Sequence, residues 1–378
     1  MSVSTFRVER QPSATRTPGK DTTAPAYLTV PHFPSLTSTV PRELVHRASI
    51  AEVMLTGWER EDDTHFTVSA QLPRRHGFFE TVQGCHDPLL IAETVRQAGL
   101  LLAHTEFGVP FGHQFLMWNL AVDLRCEHLL VGATPASLDI HVTCTDIKRR
   151  GTQLSGLHFT AEIRREGVPA ATGAAAFTCT SPAVYRRLRA ARLNNGTPAP
   201  LPLTSPTAPQ TVGRHSPTDV VLSPLAEPDC WQLRVDTRHP VLFDHPLDHV
   251  PGMALLEAAR QAATAYTGRT CLPAALTAEF ARYAELDTPT IIKAHPLPPH
   301  PDGRDRLLIT GHQNNTPIFT TTITINPTPT HAPVPAPTQA LAPVPVPVTA
   351  HAPAPAQAPA HAPAPAPVPA QAQAPVPA

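Results

Sequence analysis

No stretch of this 378-residue chain approaches the roughly 20 consecutive apolar residues that cross a bilayer. None of its six cysteines (Cys85, Cys126, Cys144, Cys179, Cys230, Cys271) forms a C-x-x-C pair. That spacing argues against a zinc site or a disulfide frame and for reduced, buried thiols in a cytoplasmic protein. No basic block is present: 29 basic and 30 acidic residues give a formal net charge of −1. Without concentrated positive charge or a helix-turn-helix pattern, nucleic acid is not expected as a partner. Met1–Val40, rich in Ser, Thr and Pro, lacks the apolar core of a signal peptide and reads as a disordered arm over 1–40. Beyond Pro327 there is no charged residue at all, only Pro-Ala repeats, so 327–378 reads as an extended tail unable to bury a core. His331, His351 and His361 in that tail are too far apart to suggest a metal tract, and no metal or cofactor is expected.

What is present is one helix written twice. His86–Ala98 reads H-D-P-L-L-I-A-E-T-V-R-Q-A and His249–Ala262 reads H-V-P-G-M-A-L-L-E-A-A-R-Q-A. Each copy has a histidine two residues before a proline, then Glu-x-x-Arg-Gln-Ala after an apolar run. A Glu and an Arg inside an apolar helix are costly unless paired or used. Their repetition points to two homologous halves facing each other around a site.

The flanking segments repeat as well. Ala51–Trp58 and His65–Leu72 read as strands, a helix covers Asp87 to about His104, and strands follow at Phe115–Leu124, Ser137–Lys148, Leu154–Arg164 and Ala170–Thr180. The Tyr185-Arg-Arg-Leu-Arg cluster reads as a short exposed helix with a solvated basic face. Residues 193–219, rich in Pro, Thr and Gly, read as a linker between a domain at 41–192 and another at 220–326. In the second half Trp231–Val235 reads as a strand, Pro251–Thr267 as the helix, and Ala274–Tyr283, Thr290–His295, Arg306–His312 and Ile318–Asn326 as strands. An α+β fold follows, with each long helix buried on most faces by a curved antiparallel sheet.

Glu93, Arg96, Gln97, Leu100 and His104 share one stripe of the first helix, and Glu257, Arg260, Gln261 and Thr264 share the matching stripe of the second. A plain intrahelical Glu–Arg pair is the structural alternative to a functional one. Pro88 and Pro251 suit the first helical position, and Asp87 can cap the first helix. Gly252 leaves the start of the second helix bare, where free N–H donors and the helix dipole favour an oxyanion or phosphate. His245 and His249 precede it in D-H-P-L-D-H-V-P-G.

That segment, continued through M-A-L-L-E-A-A-R-Q, resembles the active-site helix of hotdog-fold β-hydroxyacyl-carrier-protein dehydratases. A closer match covers both halves. V-P-R-E-L-V-H-R-A-S-I-A-E-V from Val40, A-Q-L-P-R-R-H-G-F-F from Ala70, H-D-P-L-L-I-A-E-T-V-R-Q-A-G from His86 and G-H-Q-F-L-M-W-N-L from Gly112 are similar to the A-factor synthase (AfsA) family over residues 40–326. The resemblance implies a double hotdog, two tandem domains forming an internal pseudo-dimer that acts as a monomer. It also implies an acyltransferase joining a β-ketoacyl group, carried as a thioester on acyl carrier protein, to dihydroxyacetone phosphate in γ-butyrolactone autoregulator biosynthesis. Glu257 or His249 would then be the base, with His245 and Glu93 further catalytic candidates. Arg260 would hold the phosphate or orient Glu257, and Gly252 would help form the oxyanion hole. Arg96, Gln97, Gln261 and His86 would complete the substrate site. An acyl-thioester dehydratase or thioesterase, or a non-catalytic acyl- or lactone-binding protein, remain the alternatives.

Overall fold

The computed structural model describes residues 38–193 and 199–327. Residues 1–37 of the expected arm and 328–378 of the expected tail lie outside the described residues.

Alternating apolar and polar positions place each strand in a sheet with one covered face. His65–Leu72 (β2) and Ala136–Arg150 (β4) bury every second residue over most of their length. With Leu55–Arg60 (β1), Gln114–Leu124 (β3), Gln153–Arg165 (β5) and Val168–Thr180 (β6), they form the antiparallel order β1-β2-β4-β5-β6-β3. The second lobe uses Leu222–Pro224 (β7), Cys230–Leu233 (β8), Pro273–Phe280 (β9), Ile291–Leu297 (β10), Arg306–Gln313 (β11) and Thr316–Ile325 (β12). Its order is β9-β12-β11-β10-β8-β7, so counting outward from the β3–β9 seam, the two lobes repeat one another. The seam is antiparallel, from Asn119 opposite Glu279 to Asp123 opposite Ala275, and joins all twelve strands into one sheet.

Pro88–Thr105 (α1) and Gly252–Thr267 (α4) are the two helices that the sheet wraps. Sixteen of the eighteen residues of α1 are buried, so it has no solvent face to spare. Leu89, Ile91, Leu101 and Leu102 are at most 1 % exposed, and each contributes about 1.5–3 kcal/mol of burial. Close packing around α1 demands glycine at two points. A Cβ on Gly173 would lie 2.6 Å from Val95 Cγ2, and one on Gly99 would lie 2.6 Å from Phe159 Cε1. This is a double hotdog, as the resemblance implies.

Three local readings differ from the sequence-based expectation. Residues 50–52 form a single 3₁₀ turn, because the Ser49 hydroxyl accepts from Ala51 N–H and holds the chain in a cap before β1 begins at Leu55. The segment 199–219, read as part of a linker, buries Val212 and Arg214 and ends in a second capped turn, with Ser216 accepting from Thr218 N–H. The basic cluster does fold as Pro182–Leu188 (α2), followed by Ala190–Leu193 (α3). However, Tyr185 and Arg189 are buried beneath it and only the outer face is solvated.

Candidate functional site between the lobes

The repeated Glu-x-x-Arg-Gln motifs form two matching buried clusters. In lobe one the Glu93 carboxylate accepts from Arg96 Nε (2.8 Å) and Nη2 (2.7 Å), Gln97 Nε2 (2.7 Å) and Arg47 Nε (2.9 Å). In lobe two Glu257 accepts from Arg260 Nε (3.0 Å) and Nη2 (2.6 Å), Gln261 Nε2 (2.5 Å) and Arg214 Nε (2.9 Å). Each glutamine also clasps a strand entrance. Gln97 accepts from Met54 N–H and donates to Glu52 O, and Gln261 accepts from Val221 N–H and donates to Asp219 O. Each additional arginine then crosses to the other lobe, Arg47 donating to Val241 O at 3.0 Å and Arg214 to Phe78 O. Burial pushes both carboxyls up, but the flanking guanidinium groups outweigh it and hold each at about 2.

The sequence reading missed Arg47 and Arg214. A signal was available, since V-x-R-x-S occurs as Val45–Ser49 and again as Val212–Ser216. A third repeat, Arg75-His76 and Arg238-His239, supplies the crossed-over loops. His76 Nδ1 accepts from Phe78 and Phe79 N–H, and His239 Nδ1 accepts from Val241 and Leu242 N–H.

The two halves part company at their helix starts. At α1, Asp87 is 1 % exposed and accepts from Leu89 N–H at 2.8 Å, and His86 is also buried. Burial pushes the Asp87 carboxyl up against the opposing pull of Arg260 and Arg214, and burial beside Arg165 lowers His86 to about 4. The Arg214 guanidinium lies 4.1 Å from the centre of the Phe78 ring. At α4, by contrast, Pro251 offers no side-chain cap, and Gly252 is exposed. The N–H groups of Gly252 and Met253 have no acceptor among the described residues.

That bare helix start faces a cavity of about 1060 Å³ between the lobes. Its walls include His46, Arg47 and Arg96 from lobe one and His245, His249, Gly252 and Met253 from lobe two. Its apolar floor includes Leu100, Leu120, Phe159, Phe177, Leu255, Leu256 and Ile318. The arginines differ in the same sense as the helix starts. Arg96 keeps 20 % of its side chain exposed and its Nη1 has no hydrogen-bond partner among the described residues, while Arg260 is 1 % exposed.

Two aspartate–histidine dyads stand on the lobe-two wall. His245 Nδ1 lies 2.6 Å from Asp244 Oδ1, and His249 Nδ1 lies 2.7 Å from Asp248 Oδ1. An ionised carboxylate accepts only, so each imidazole donates from Nδ1, and the tautomer this selects carries its lone pair on Nε2. Asp244 also accepts from Ala48 N–H of lobe one at 2.9 Å, and Asp248 accepts from the Tyr185 hydroxyl at 2.8 Å and Arg189 Nε at 3.2 Å. Burial would raise both aspartates, but these donors hold them below the usual carboxylate range. The backbone of His249 bridges to Glu285, fixing its place beside the helix. Behind the lobe-one wall His104 Nδ1 donates to Val109 O at 2.7 Å, so its Nε2 accepts from Nε2 of the cavity-lining His46 at 2.8 Å. Burial, then His104 and Arg96, lower His46 to about 3, and it stays neutral.

Of the residues singled out from sequence, His245, His249, Gly252 and Arg96 therefore meet at one cavity. Glu93 lies directly behind Arg96. Glu257, Arg260, Gln261, Gln97 and His86 do not line it. Asp244 and Asp248 were missed, although D-H stands twice within six residues, Asp244–His249. Among the described residues no group of three His, Cys, Asp or Glu is placed to hold a metal, and no helix is long and apolar enough to cross a membrane.

A family described as the A-factor biosynthesis hotdog domain (AfsA) matches residues 28–181 and again 197–329. A 2-oxo-3-(phosphooxy)propyl 3-oxoalkanoate synthase of Streptomyces virginiae is 55 % identical over 285 residues, 75 % of this chain and 96 % of that protein. A synthase of the same name from Streptomyces coelicolor is 44 % identical over 287 residues, 75 % of this chain and 90 % of that protein. Among solved structures, an acyl-ACP thioesterase from Bacteroides thetaiotaomicron overlays with a TM-score of 0.44 at 10 % identity, covering 71 % of this chain and 100 % of that one.

Proposed function

The chain belongs to the A-factor biosynthesis hotdog family, and from that premise we propose that it transfers a β-ketoacyl group from a carrier-protein thioester to the hydroxyl of dihydroxyacetone phosphate. The relatives' name describes the product of that transfer, a phosphorylated oxopropyl ester of a 3-oxoalkanoate. One observation supports this reading above the rest: an uncapped helix start, two aspartate-oriented imidazoles and a guanidinium with a free edge line one cavity.

Acyl transfer to an alcohol needs a base, donors for the tetrahedral oxyanion and, here, a cation for the phosphate. His249 Nε2 takes the hydroxyl proton, and the alkoxide oxygen adds to the thioester carbonyl. The Gly252 and Met253 N–H groups receive the oxyanion at the positive end of α4. Collapse breaks the carbon–sulfur bond, and the leaving thiolate takes the proton back from His249. Asp248 holds the correct tautomer and steadies the imidazolium in between. His245 offers a second imidazole to the acceptor's polar groups. Arg96 turns its free edge to the phosphate while Glu93 holds the rest of its fork. The apolar floor receives the acyl chain, and the volume stands at the upper end of the ~300–1000 Å³ typical of ligand pockets, suiting two substrates held together.

The same reading gives Glu257, Arg260, Gln261 and Gln97 a structural task, holding the lobe-crossing arginine and the strand entrances, not touching substrate. His86 and Asp87 close the other half-site. Because each lobe supplies what a second subunit would, the chain acts as a monomer, which light scattering on the purified protein tests. All six cysteines are free, which suits a reducing compartment such as the cytoplasm.

The decisive assay incubates purified protein with a β-ketoacyl thioester and dihydroxyacetone phosphate and looks by mass spectrometry for the phosphorylated ester. Thiol release that does not depend on the phosphotriose would point instead to a thioesterase.

A further inference from the structure

We infer that α2 and the adjoining cavity rim form the docking surface for a small acidic protein that carries the acyl chain on a flexible arm. The inference rests on the transferase reading and adds to it the place where the donor is received.

Helix α2 packs against residues of the cavity rim. At one end Pro182 packs beside Gly112, and at the other Arg189 stacks 4.3 Å from the centre of the Tyr283 ring and pairs with Glu285. Gly112, Tyr283 and Glu285 all line the cavity. Between them the Tyr185 hydroxyl donates to Asp248, the aspartate that orients His249. The inner face of α2 is thus tied to the reacting groups.

The outer face is uncompensated. Residues 182–193 contain four arginines and no acid. Arg189 and Arg192 are consumed by Asp248, Glu285 and Asp287. Arg186 and Arg187 are exposed and have no partner among the described residues, and neither has Arg282 next to Tyr283 on the rim. Asp248, Glu285 and Asp287 exceed the two arginines they hold by one negative charge, so with Arg186, Arg187 and Arg282 the patch stays net positive by two. Leu188 beside them is 61 % exposed, and so is Phe111 on the rim. Positive charge flanking a small apolar contact at the mouth of an acyl cavity is complementary to an acidic helix that presents a tethered acyl group. A chain of net charge −1 has no general excess of positive charge, so the cluster is local.

The test is the double charge reversal R186E/R187E, on side chains that hold nothing in place. Kinetics are measured with one β-ketoacyl group presented either on holo acyl carrier protein or as a short pantetheine thioester, at low and high salt. We expect KM for the carrier substrate to rise by about tenfold or more at low salt, with kcat/KM for the small thioester unchanged. Wild-type KM for the carrier substrate should rise with salt, and that of the variant should respond less. Unchanged kinetics with both donors, or an equal loss with both, would overturn the proposal. So would loss of binding to vesicles of anionic phospholipid with carrier kinetics intact. If the wild-type protein turns over neither donor, the transferase reading fails instead; docking is then decided by calorimetric titration of holo carrier into wild type and variant, and equal affinity rejects it.

Discussion

Glu257 is the residue on which stability and chemistry make opposite forecasts. Its carboxylate is fully buried and receives donors from Arg214, Arg260 and Gln261. Replacing it with glutamine keeps the shape but leaves two guanidinium groups, 2 % and 1 % exposed, without a counter-charge. Breaking a buried ion pair from one side costs about 3–5 kcal/mol. At roughly 2–4 °C per kcal/mol for a chain of this size, Glu257→Gln should lower Tm by on the order of 10 °C. The folded fraction at low temperature should keep kcat within about threefold, since the group touches no substrate. A triple change to apolar residues, Glu257→Leu with Arg214→Leu and Arg260→Met, removes all three charges together and should recover part of the lost stability. Thermal unfolding by circular dichroism and ester formation by mass spectrometry read the two quantities separately. A Glu257→Gln protein with native Tm and kcat reduced by about a thousandfold would refute the structural assignment and return Glu257 to the role of base.

Other consequences are as direct. His249→Gln should cut kcat by about 10²–10⁴-fold with little change in Tm, and Asp248→Asn should shift the pH–rate profile of the same step. Arg96→Met should raise KM for dihydroxyacetone phosphate by roughly 10–100-fold, the value of a charge-assisted hydrogen bond, and should discriminate far less between unphosphorylated acceptors. Acid should destabilise the protein before its carboxylates titrate. His46 binds a proton near 6.5 when unfolded but only near 3 when folded, so the unfolded state holds more protons between these values and stability falls as pH drops below 6.5. Denaturant titrations at pH 7.5 and 5 should differ by about 2 kcal/mol from this group, and the difference should shrink in His46→Gln. Glu93 and Glu257 have the same sign but a lower window, contributing above about 4.5 and losing that contribution as pH falls toward 2.

The duplicated helix was legible because its polar residues interrupt an apolar run at fixed spacing, and buried charges need partners. The strands were legible from alternation, and the sheet order follows from two hotdogs sharing a seam. The partners themselves were not legible from the helix. Arg47 and Arg214 lie far away in sequence, in segments with little periodicity, and reach Glu93 and Glu257 only after the chain has folded. The short β7 was hidden for a related reason: three residues carry no pattern, and Gln261 recruits that strand entrance from the helix. His245 and His249 stood out as residues, but their aspartates did not, since an Asp before a His pairs with it only when the backbone turns the two side chains together.

Duplication first makes two equivalent sites, and sequence drift decides whether both survive. Here each lobe gives the other a lobe-crossing arginine, so both Glu-x-x-Arg-Gln clusters must remain if the lobes are to stay joined. The helix starts are under no such constraint. At α1, Asp87 supplies the acceptor oxygen that a ligand would bring, receiving the Leu89 N–H. At α4 the equivalent place has valine, proline and glycine, which offer no carboxylate and leave the N–H groups free. Exchanging the two starts tests the point. Val250→Asp should place a carboxylate beside those N–H groups and abolish transfer by occupying the oxyanion donors, while the cost of a carboxylate at a position only 2 % exposed offsets the roughly 0.5–2 kcal/mol of capping. Full activity in Val250→Asp would show that those donors take no part in the reaction.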